Sequence, residues 1–111
     1  MYRVVIEMNR ERLLEQVKQT ILEIEPDADV IIYGSRIRGE AGPESDWDFL
    51  VLLDGTVDQE RIDAIRHRLY NVEWECGEVI SCIVRSRKEW DSPLYKAMPF
   101  HENIEREGIV L

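Results

Sequence analysis

Cysteine, proline and glycine are scarce in this chain, and long apolar runs are missing. Cys76 and Cys82 are too few for a disulfide framework, and their spacing matches none of the four-ligand patterns of structural zinc. With only 4 Pro and 6 Gly in 111 residues, a collagen-like or low-complexity chain is excluded. No stretch reaches the roughly 20 apolar residues that span a bilayer. Met1-Tyr2-Arg3 leads into Val4-Val5-Ile6-Glu7, too short a run for a signal-peptide core. Basic charge is also in short supply, 14 Lys and Arg against 23 Asp and Glu, a formal charge of −9. That balance disfavours direct nucleic-acid binding and attraction to an anionic membrane. These absences predict a cytoplasmic protein with reduced thiols. His67 and His101 have no cysteine near them and read as surface or helix residues.

What is present fits one small domain over residues 1–111, with 44% hydrophobic residues to build a core. From Asn9 to Glu25, Leu13, Leu14, Val17, Ile21, Leu22 and Ile24 recur at helical spacing. Asn9 is the expected N-cap, and Pro26 forbids continuation past Glu25. Val30–Tyr33 is a β-branched run expected as a buried interior strand ending at Gly34. Arg36–Glu44 reads as a loop or a short helical turn followed by a loop. Trp47–Leu53 is apolar except for Asp48 and predicts a second strand. Thr56 and Gln59 form a capping-box signature for a helix with inward Ile62, Ile65, Leu69 and Val72, expected to stop near Val72. Val79–Val84 predicts a third strand, Ser92-Pro93 a short helix, and Phe100 with Ile104 a last helix capped by Gly108. This order predicts an α/β or α+β fold, a small mixed sheet of three or more strands flanked by helices.

Chemistry concentrates between Gly34 and Asp48. Asp46 and Asp48 are two positions apart at the start of a strand, so their side chains share a face. Carboxylates held that close repel, and either protonation of one or a shared divalent cation such as Mg2+ relieves them. Acidic pairs of this kind also serve turns and caps. Gly34-Ser35 at the exit of the preceding strand adds a backbone that can approach an anion and a hydroxyl that can donate to phosphate. Arg36 and Arg38 supply guanidinium groups suited to a triphosphate, or else pair with Glu40, Glu44 or Asp29.

Gly34-Ser35, ten residues, then Asp46-Trp47-Asp48 resembles the glycine-serine, spacer, aspartate-x-aspartate signature of the nucleotidyltransferase superfamily that includes DNA polymerase beta. The fuller stretch, Gly34-Ser35-Arg36-Ile37-Arg38-Gly39 through Ser45-Asp46-Trp47-Asp48-Phe49-Leu50-Val51, is similar to the minimal (MNT-type) nucleotidyltransferases of bacteria and archaea. The resemblance implies that Asp46 and Asp48 bind Mg2+ and that Gly34 and Ser35 hold the phosphates of ATP or another nucleoside triphosphate. It further implies transfer of a nucleotide to a hydroxyl, and pairing with a helical HEPN-family partner as antitoxin to toxin. The family also expects a third acid on the strand after the second long helix, and Val79–Val84 holds none. Glu78 is the nearest substitute, on the alternating face of Ile80 and Cys82. If the position falls on Ser81 or Cys82 instead, nucleotide binding persists with slow or lost catalysis, and the chain acts as a degenerate antitoxin or nucleotide-binding module through partner contact.

Three further features read more simply. Trp47, between the two acids, faces the opposite side and packs on a helix. Trp74 and Trp90 cover the sheet or form a partner surface. Met98-Pro99-Phe100 packs within the domain or docks a partner helix.

Overall fold

The computed structural model describes residues 2–40, 42 and 45–111, with side chains from residue 10 onward. Glu44, a candidate partner for the arginines, lies outside the described residues. A long helix, α1 (Tyr2–Ile24), leads into β1 (Asp29–Tyr33), the one-turn α2 (Ser35–Arg38), β2 (Trp47–Leu53) and α3 (Gln59–Cys76). β3 (Ile80–Ser86), α4 (Arg87–Trp90), α5 (Pro93–Lys96), α6 (Pro99–Glu107) and β4 (Ile109–Val110) complete the order.

The four strands form one mixed sheet in the order β3-β2-β1-β4, an α+β architecture. β1 runs antiparallel to β2 and β4, whereas β2 and β3 are parallel, as a connection through α3 allows. Strand alternation sorts the side chains into two cores. Val30, Ile32, Trp47, Phe49, Val51, Leu53 and Val84 pack against Leu13, Val17 and Ile21 of α1 and Ile65, Leu69 and Val72 of α3. Ile31, Leu50 and Leu52 meet Trp90 and Ile104 on the other face. With helices on both faces, β2 is buried almost throughout, which is why its sequence reads as a continuous apolar run.

Several boundaries differ from the sequence reading. α1 begins at Tyr2, so Asn9 lies inside it, because residues 2–9 hold no proline or glycine to oppose the helix. α3 starts one residue after Asp58, whose side chain accepts from the Arg61 amide in place of the expected Thr56 cap. The same helix runs past Val72 to Cys76 and closes at Gly77 with a bond from its N–H to Glu73 O. Ser92 caps α5 as expected, accepting from the Tyr95 amide. Gly108 caps α6 as expected, its N–H donating to Ile104 O, but with an ordinary negative φ, and its small size serves packing. A Cβ there would lie 2.7 Å from Ile104 O and 2.9 Å from Ile31 Cγ2. His101 is a helix residue of α6, one of the two expectations for it, and it is buried, its ring stacked on Trp90 with centroids 4.3 Å apart.

Candidate active site

The antiparallel pairing brings the end of β1 beside the beginning of β2. Tyr33 is the register partner of Asp48, so Gly34 emerges where the carboxylate stands. Gly34 has φ 88 and ψ −166, a region reserved almost wholly for glycine. A Cβ on Gly34 would collide with Asp48 Oδ2 and come within 3.2 Å of its Cγ. The missing side chain is therefore the space that the carboxylate occupies. α2 then folds back on this glycine, with the Ile37 and Arg38 amides donating to Gly34 O at 3.1 and 3.2 Å.

Burial raises the pKa of Asp48, the charge of Asp46 raises it further, and Arg38 partly offsets both. The two carboxylates are thus close enough to repel in a partly dry place, the condition that a hard divalent cation relieves. Among the described residues, no three His, Cys, Asp or Glu side chains cluster closely enough to hold a metal. Two carboxylates with waters and phosphate oxygens are the donor set that Mg2+ ordinarily accepts, so the residues present fit that ion. Tyr33 backs the pair. Burial first, and Asp48's charge second, push its hydroxyl up to about 12, and Phe100 meets its ring edge-on with centroids 5.6 Å apart.

The structure does not bring every candidate to this place. Arg36 turns toward the Trp47 side of the sheet: its Nε and Nη2 donate to Ser45 O at 3.0 and 2.7 Å, and its guanidinium lies 4.6 Å from the Trp47 ring centroid. It ties the two ends of the loop together. Glu78 joins it there, accepting from Trp47 Nε1 at 3.3 Å and lying 3.5 Å from Arg36 Nη2. Because Trp47 and Asp48 alternate, Glu78 sits on the face opposite the carboxylate pair. In the parallel ladder the residue beside Asp48 is Ser81, so a hydroxyl stands where a third acid would face the pair. Arg38 stays on the acid side, bridging Glu40 at 3.2 Å and Glu107 at 2.9 Å.

A glycine pressed onto one of two paired aspartates is a local device, and its wider context matches a known domain. Residues 14–107 fit the family model described as a nucleotidyltransferase domain. The chain belongs to that family. Among solved structures, this nucleotidyltransferase domain resembles a toxin-antitoxin crystallised with AMP-PNP, at a TM-score of 0.60 and 15% identity, covering 86% of this chain and 69% of that one. That likeness is one of fold. No curated protein matches the sequence significantly.

Two residues that border the candidate site were not singled out for it in the sequence. Tyr33 was recoverable, because a hairpin that pairs the residue before Gly34 with Asp48 follows from the two strands. Glu107 was not, since nothing local links Arg38 to a residue 69 positions away.

Proposed function

We propose that this is a minimal, Mg2+-dependent nucleotidyltransferase that moves a nucleoside monophosphate, AMP from ATP in the first instance, onto a hydroxyl group of a partner protein. The observation that carries this reading is the Gly34–Asp48 apposition, a phosphate-accessible backbone pressed against a carboxylate whose ionisation is disfavoured by burial and by Asp46. Asp46 and Asp48 would hold the metal, which would supply charge neutralisation at the α-phosphate of the transferring nucleotidyl group and acidification of the attacking hydroxyl. Gly34 and Ser35 present backbone and hydroxyl to the phosphates. Arg38 exchanges Glu40 and Glu107 for phosphate oxygens, while Arg36 holds the loop. The acceptor oxygen bonds to the α-phosphorus, the bond to the bridging oxygen breaks, pyrophosphate departs and the hydroxyl proton passes to water.

Family membership supports the reaction class, the likeness to a toxin-antitoxin supports a partner protein and a role as its antitoxin, and a HEPN-type helical partner is what the resemblance to minimal nucleotidyltransferases implies. A second reading rests on Ser81 and Glu78. With a hydroxyl beside Asp48 and Glu78 on the far face, the domain is an antitoxin that binds nucleotide and neutralises its partner by contact without turnover. The two separate cleanly. Purified domain, Mg2+, α-labelled ATP and a protein that co-purifies with the domain from its own cells are combined, and label on that protein that vanishes in Asp48→Asn with an unchanged melting temperature supports transfer. ATP binding by calorimetry with no label transfer, and neutralisation that survives Asp46→Ala, supports contact alone. Neither transfer nor ATP binding rejects the nucleotide site altogether.

A further inference from the structure

Strand β3 is an edge of the sheet, and α3 lies beside it. Trp47 N–H donates to Val79 O and the register is parallel, so odd-numbered residues of β3 turn their amides to β2 and even-numbered ones turn theirs outward. Side chains cover part of this open edge. Glu73 Oε2 accepts from Ile80 N–H at 2.9 Å, Arg66 Nη2 reaches Cys82 O at 3.5 Å, and Arg85 Nη1 donates to Val84 O at 2.8 Å. Cys82 N–H faces outward between them, whereas Val84 is buried, so the open stretch of the edge is Ile80–Cys82.

Two adjoining hollows flank the same edge. One, of about 380 Å³, opens over Ser81 and Cys82; the other, of about 450 Å³, opens over Trp74 and Val79, and Tyr70 and Glu73 line both. Their apolar walls are unusually bare: Trp74 is 75% exposed, Val79 54% and Tyr70 53%. Tyr70 meets Trp74 edge-on with centroids 6.2 Å apart, which presets the two rings as a platform.

We propose that this face takes an extended segment of another protein, which adds a strand to the edge of β3 and carries lysine or arginine among apolar residues. An open strand edge dictates the extended conformation, since backbone groups at ladder spacing are satisfied by another strand and not by a helix. The charge comes from Glu73. A partner carbonyl that takes Ile80 N–H frees this carboxylate at the rim of the hollow, where Trp74 offers an aromatic face, and a basic side chain satisfies both. A second copy of the chain is the poorer occupant, because each copy carries a formal charge of −9 and would bring its own Glu73 to the same place. Ser81 at one end of this face is the ladder partner of Asp48, but Tyr70, Glu73, Trp74 and the outward Cys82 amide carry the proposal and none of them belongs to the candidate nucleotide site, so this inference stands whether or not the domain turns over nucleotide.

Random octapeptides displayed on phage are selected on the intact domain and counter-selected on Trp74→Ser. The expected enriched peptides alternate apolar residues with lysine or arginine. As synthetic probes in fluorescence polarisation, they bind the domain about tenfold or more tighter than they bind Trp74→Ser or Glu73→Gln. Gln keeps an acceptor for Ile80 N–H and removes only the charge. The same peptides shift the Ile80 and Cys82 amide resonances, and they bind Asp48→Asn unchanged. The proposal is overturned by no enrichment, by acidic or charge-indifferent winners, by amide shifts elsewhere, or by a dimer in sedimentation that Trp74→Ser dissolves.

Discussion

Gly34 and Asp48 claim the same space: the place a side chain would fill on one is held by the carboxylate of the other. Gly34→Ala therefore forces a non-glycine residue to φ 88 and drives its methyl into Asp48. The conformational strain alone costs of order 1–3 kcal/mol. We expect a fall in melting temperature together with loss of measurable ATP affinity by calorimetry; an unchanged affinity would show that the glycine serves only the turn.

Asp48 should make stability fall with rising pH. Its folded-state pKa is raised above 3.8, so the folded protein holds this proton more tightly than the unfolded chain. The resulting stabilisation is complete below 3.8, fades as pH rises through the raised value, and is absent above it. Asp48→Asn removes this dependence, so the variant gains on the parent with rising pH, and Mg2+ restores the parent near neutrality. Melting curves of both proteins from about pH 3 to 7 test it, and a gap that narrows toward neutrality rules it out.

Metal affinity should separate the acids. Asp46→Ala should weaken Mg2+ binding by about tenfold or more, as loss of even supporting groups commonly does. Glu78→Gln should leave it unaltered, because Glu78 lies against Trp47 and Arg36. Metal titration followed by thermal shift distinguishes them, and equal losses in both variants would return Glu78 to the metal site.

A different pair secures the far end of the sheet. Arg61 Nε and Nη2 donate to the two oxygens of Glu25 at 2.8 Å, and its Nη1 donates to Asp54 O and Thr56 O at 2.8 Å. The Arg61 hydrogen bond holds the Glu25 pKa below 4.5 against the opposing effect of burial. This contribution is present above 4.5 and lost as pH falls through the folded-state value. Arg61→Met should cost about 1–3 kcal/mol at neutral pH, shrinking in acid. Urea denaturation at both pH values measures it; a pH-independent cost would assign the loss to packing.

Much of the fold was legible because the periodicities were strong. Trp47–Leu53 matched its strand residue for residue, and the alternation that places Asp48 opposite Trp47 needed only the pleat. Helix ends were less legible, since Asn9 and Thr56 are adequate caps that the chain bypasses. His101 gave no local sign that Trp90 would cover it.

By itself the sequence determined the two strands and the glycine-serine turn between them, because each depends on neighbours along the chain. Only tertiary structure decided which groups join them. Glu78 and Arg36 are near the acids in sequence or in role, yet the parallel pairing of β3 with β2 sets Ser81 beside Asp48 and sends Glu78 to the Trp47 side. Register between strands is fixed by the packing of two buried faces at once, and no single segment carries that information.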